Sequence, residues 1–83
     1  MQNNSLTLNH LTKGQYARIT GFLANEADLT TRLREIGFAE GDLVKILHFG
    51  LFGKNPISVL LNGSTIALRR QTARAILVEA LDQ

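Results

Sequence analysis

The chain has 83 residues, 45% of them hydrophobic and 19% charged, enough apolar content for one folded core and too short for two. Nine Lys and Arg against seven Asp and Glu leave a net charge of +2, a field too faint to gather nucleic acid without a clustered basic face. With no Cys, disulfides, thiolate nucleophiles and Cys-based zinc or iron–sulfur sites are excluded.

Residues 1–10 carry the polar run Gln2, Asn3, Asn4 and Ser5 and are expected as a flexible leader, with the domain set at 11–83. Leu8 and Leu11 are apolar enough to tuck against that domain. Met1 to Asn9 lacks the basic start and apolar core of a signal peptide. The most apolar stretch, Leu43 to Leu61, is broken by Lys45, His48, Lys54, Asn55 and Pro56, whereas a spanning helix needs about 20 nearly uninterrupted apolar residues. No membrane insertion is expected, and the expected location is the cytoplasm.

From Gln15 to Leu23, Ala17, Ile19, Gly21 and Leu23 alternate with Tyr16, Arg18, Thr20 and Phe22, which predicts a strand with one buried face. A helix follows. Asn25 stands as its N-cap, and Glu26 and Asp28 put negative charge in the first turn. Leu29, Leu33 and Ile36 fall at i, i+4 and i+7 as one apolar stripe. Gly37 then supplies the left-handed residue that stops a helix. Gly41-Asp42 turns into a strand at Leu43–Phe49, with Val44 and Ile46 on one side and Leu43, Leu47 and Phe49 on the other.

The segment from Gly50 to Pro56 is loop chemistry carrying Leu51 and Phe52. Ile57, Val59 and Leu61 form another strand. Asn62-Gly63 is a strong hairpin signal, because a type I′ turn needs two residues that accept positive φ. Ser64 to Arg69 returns with Ile66 and Leu68 inward. One helical turn at Gln71–Ala75 and a short strand at Ile76–Ala80 close the chain. Such short strands bury a core and hide their edges only by curling. The expected fold is mainly β: a small SH3-like barrel of about five strands, with one α-helix after the first and a short helical turn before the last.

Chemistry is sparse. His10 and His48 stand far apart with no Cys to join them, and a transition-metal site of ordinary affinity wants three or four ligands. His48 is therefore only a weak metal candidate, for iron(II) or another transition metal. Ser5, Ser58 and Ser64 have no base placed beside them, and Gly50 and Gly53 lack the strand-to-helix context that cradles a phosphate. No enzyme and no certain cofactor are expected.

Arg69, Arg70 and Arg74 form the one basic cluster, with no acid between Lys54 and Glu79. It suits phosphate, an acidic protein surface or anionic lipid, and it also suits a merely solvated edge. Nucleic acid is disfavoured, since single-strand readers stack bases on exposed aromatics. Leu51-Phe52 either folds back over the barrel mouth or anchors a partner protein or a second copy. The partner reading is adopted, with Leu51, Phe52, Lys54, Arg69 and Arg70 as its surface.

The segment Arg32-Leu33-Arg34-Glu35-Ile36-Gly37-Phe38-Ala39-Glu40-Gly41-Asp42-Leu43-Val44 and the stretch NPISVLLNGSTIALRRQTARAILV from Asn55 to Val78, with Leu11, Gly14 and Ile19 upstream, resemble the ferrous iron transport protein A (FeoA) family. That family's pattern runs helix, Arg-Leu, a Gly-apolar-x-Pro-Gly turn, a Val-x-Ile-type strand, then Pro, a Gly hairpin, Ala-Leu-Arg and Ala-x-x-Ile-x-Val. The likeness spans residues 11–79. Glu40 stands where the family's turn carries Pro, and the loop before Pro56 is phrased differently. The resemblance implies an SH3-like barrel serving as a non-enzymatic cytosolic accessory of a ferrous iron uptake system, docking on the cytoplasmic part of a membrane transporter that bears a G-protein-like GTPase domain. The same barrel occurs as the C-terminal domain of iron-dependent repressors, which implies a stand-alone metal-binding or sensing module as the alternative.

Overall fold

The computed structural model describes residues 6–23 and 27–81. The expected cap at Asn25, the acid at Glu26 and the run Gln2 to Ser5 lie outside those residues. Strand β1 (Tyr16–Phe22) precedes helix α1 (Ala27–Ile36); β2 (Leu43–Phe49), β3 (Ile57–Leu61) and β4 (Ser64–Leu68) follow. A one-turn helix α2 (Arg70–Ala73) leads into β5 (Ile76–Ala80). The five strands join one antiparallel sheet in the order β4-β3-β2-β1-β5. This is the mainly β, five-stranded arrangement expected, with each helix in its expected place.

Local chemistry explains the joints. At the end of α1, the Phe38 amide donates to the Leu33 carbonyl at 3.0 Å and the Gly37 amide to Arg34 at 3.2 Å. Gly37 adopts φ 129°. That pair of bonds is a Schellman closure, which accepts glycine because it has no Cβ to crowd the turn. It drives Phe38 into the core, where it is fully buried. Asn62 and Gly63 take φ 50° and 83°, the two positive values that a type I′ hairpin needs.

Two β-bulges bend the sheet, and strict alternation does not foresee them. Register shifts between Ile19 and Gly21 against β5, and between Ile46 and His48 against β3. One extra residue swaps the face of everything after it. Phe22 now pairs with buried Ile76, and Phe49 with buried Ile57, so both rings pack against the core. Phe22 was expected opposite Ile19, and Phe49 beside Leu43 and Leu47 on the other side from Val44 and Ile46. The same slip sends His48 to the outer face, opposite Ser58.

The core gathers Ile19, Leu33, Phe38, Val44, Ile46, Ile57, Val59, Ile76 and Val78, from every strand except the hairpin's outer arm, which adds Leu68. The helical stripe divides: Leu33 is buried, Leu29 half-buried, and Ile36 is 51% exposed. Residues 6–10, assigned to the leader, belong to the packed structure. The Val78 amide donates to the Leu6 carbonyl at 2.9 Å, Thr7 bridges to Leu77, and Leu8 is fully buried in a 3₁₀ turn, Leu8–His10. The apolar pair Leu8 and Leu11 outweighs its polar neighbours. Among the described residues no helix is long and apolar enough to cross a membrane.

Candidate functional site

Residues 50–56 join β2 to β3 and hold an apolar pair out in water. The Gly50 amide donates to the Pro56 carbonyl at 2.7 Å, and a Cβ on Gly50 would collide with the Asn55 carbonyl, so the loop's two ends meet as bare backbone. Gly53 and Lys54 adopt φ 64° and 67° and reverse the chain after the tip. The Asn55 amide donates to the Phe52 carbonyl at 3.1 Å. Leu51 is left 94% exposed and Phe52 84%. Phe52 does not fold back over the barrel.

α2 braces this tip. Asn55 Oδ1 accepts the Arg70 amide at 2.7 Å, and the Arg70 guanidinium donates to the Gly53 carbonyl at 3.4 Å. Lys54 Nζ lies 5.4 Å from the centre of the Phe49 ring, an attractive cation–π placement. Leu51, Phe52, Lys54 and Arg70 therefore belong to one assembly, an apolar tip with two cations at its base.

Arg69 does not join them. It faces a groove of about 770 Å³ between α1 and the β4–α2 segment, so two arginines adjacent in sequence serve two surfaces. Arg74 and Arg32 of α1 line the same groove, so three exposed arginines share it with Leu29, Leu33 and Ile36. Sequence reasoning missed this groove. The available signal was Arg32, at i+3 from Leu29 and i−4 from Ile36, on the apolar face of its own helix.

Neither histidine lines the groove. His48 is exposed, with Nε2 3.3 Å from Ser58 Oγ. His10 is occupied locally, its Nδ1 accepting the Thr7 amide at 3.3 Å. Among the described residues no group of three or more His, Cys, Asp and Glu is arranged to hold a metal ion. The donors around His48 do not fit a transition-metal site of ordinary affinity.

A bent five-stranded antiparallel sheet with a helix between its first two strands and a single helical turn before its last defines a small SH3-like barrel. The FeoA domain family matches residues 6–80, and the chain belongs to that family, which is linked to ferrous iron transport. It is similar to the FeoA protein of Chlorobium tepidum, at 32% identity and a TM-score of 0.79 over 93% of this chain and 71% of that one. It is also similar to Stenotrophomonas maltophilia FeoA complexed with zinc, at 31% identity and a TM-score of 0.75 over 89% of each chain. That relative is described as a prokaryotic SH3-domain protein and a candidate ferrous iron transport activating factor. A manganese-dependent transcriptional repressor in complex with manganese shares the fold, at 21% identity and a TM-score of 0.85 over 96% of this chain and 38% of the repressor. Comparison with curated proteins gives no significant match.

Proposed function

We propose that the chain is a small non-enzymatic cytosolic accessory of a ferrous iron uptake system, docking on the cytoplasmic, GTPase-bearing part of the membrane iron transporter. The observation that carries this reading is the tip itself: Leu51 and Phe52, side by side and 94% and 84% exposed, on a loop fixed by its own backbone. Apolar side chains held in water on a braced loop suit a partner's pocket, because the loop backbone's ordering entropy is already spent before contact. Lys54 and Arg70 at the base then steer toward an acidic rim. The activating role suggested for the Stenotrophomonas relative agrees with an accessory that works by contact.

The test is titration of the isotope-labelled chain with the transporter's cytoplasmic domain, followed by NMR. Amides at 50–55 should shift, and replacing Leu51 and Phe52 together by Ala should weaken binding about thirtyfold, the scale of a lost interface anchor. Shifts that avoid residues 50–55 would refute the surface, and no shifts at all would refute the docking.

The zinc complex of that relative favours a second reading, a metal-binding module. In this chain a metal at His48 would hold one imidazole and otherwise water, with low affinity. Saturable iron(II) or zinc binding at micromolar metal, lost in His48→Ala, would displace the docking reading.

A further inference from the structure

We infer that the groove between α1 and the free edge of β4 takes an extended acidic segment of a partner protein, laid beside β4 as an added strand. The site goes beyond the docking tip and uses different residues.

The backbone argues for a strand. Among the described residues β4 ends the sheet and pairs only with β3. The two-residue Asn62-Gly63 turn makes Leu61 and Ser64 the first hydrogen-bonded pair, and bonded and non-bonded pairs alternate from there. Thr65 and Ala67 therefore point their N–H and C=O groups away from β3, and Ala67 lines the groove. An extended segment can satisfy those groups, whereas a helix, its own backbone bonds complete, cannot.

The side chains argue for the sequence. Across the gap from Ala67 stand Leu29, Leu33 and Ile36, the last of them 51% exposed. Every second side chain of an added strand would turn toward that wall and the rest away from it. Arg32, Arg69 and Arg74 lie on the rim, and the described lining contains no carboxylate. Hydrogen bonds engage the guanidinium groups of Arg18 and Arg70, and Arg34 lies over the Phe22 ring; the three rim arginines are outside those arrangements. Apolar residues alternating with Asp or Glu match both features.

The experiment titrates the labelled full chain with a blocked Glu-Leu-Glu-Leu-Glu peptide and with its Lys-Leu-Lys-Leu-Lys counterpart. The acidic peptide should shift the amides of Thr65, Ala67 and Arg69, and the lysine peptide should not. Arg69→Glu with Arg74→Glu should lower affinity about tenfold or more. Ala67→Pro removes one outward donor without touching the ladder to β3 and should weaken binding similarly, with the rest of the spectrum unchanged. If that variant unfolds, the arginine pair decides. Equal binding of the lysine peptide, no shift at millimolar acidic peptide, or shifts confined to 50–55 would overturn the proposal. Movement of these amides on simple dilution would overturn it too, since the edge would then belong to a second copy.

Discussion

The loop at 50–56 and the groove beside α1 both leave apolar surface in water, by opposite means. In the loop, backbone bonds at Gly50, Phe52 and Asn55 fix the chain while Leu51 and Phe52 stand clear of the protein. In the groove the apolar side chains are shared: Leu33 is buried at 1% exposure, and Ile36, three residues on, is at 51%. One helical stripe serves the core at one end and solvent at the other. A convex tip is therefore energetically separate from the fold, whereas a concave wall is continuous with it. Substitutions that bear on binding at the tip should leave stability intact, and those in the groove wall should not.

The largest effect belongs to the wall. Leu33→Ala removes a fully buried side chain from the core cluster and should cost about 2–5 kcal/mol, the range for a Leu-to-Ala cavity. Urea denaturation monitored by circular dichroism reads it. A loss below about 1 kcal/mol would mean that α1 collapses into the space, and the contrast between wall and tip would fail.

Asn55 tests the brace between the two surfaces, since its side chain ties the loop to the first residue of α2. Asn55→Ala should cost about 1 kcal/mol, the net worth of one side chain-to-backbone hydrogen bond, and should speed amide hydrogen exchange at Arg70. Stability unchanged and exchange unaltered would show that the tip stands without α2.

The regular parts of this fold were legible because each has a local cause. The Asn62-Gly63 hairpin follows from two residues that accept positive φ, and the end of α1 from Gly37. The bulges at Thr20 and Leu47 were not legible: an inserted residue leaves the composition of a strand unchanged and only swaps faces beyond it. Phe22 and Phe49 stand on the face opposite to the one alternation predicts for that one reason. At the candidate site the exposed tip was legible, because two large apolar residues between glycines are visible in one dimension. Arg69 and Arg70 read as one patch because they are neighbours, whereas the turn into α2 sends them to different surfaces. Arg32 joins Arg69 and Arg74 only through the fold.

The smallest stability effect should come from the tip and is the most telling. Leu51→Ala with Phe52→Ala deletes two large side chains, yet both are almost wholly in water, so little burial is lost. The loop's hydrogen bonds at Gly50, Phe52 and Asn55 run through backbone or through the Asn55 side chain and survive the change. The expected loss is within about 0.5 kcal/mol, the range of surface substitutions, in the same urea titration that registers Leu33→Ala. A loss of about 2 kcal/mol or more would mean that the pair is buried in solution, against the chain's own surface or a second copy's. Equilibrium sedimentation separates those cases, and either would make the tip part of a core and remove its difference from the groove.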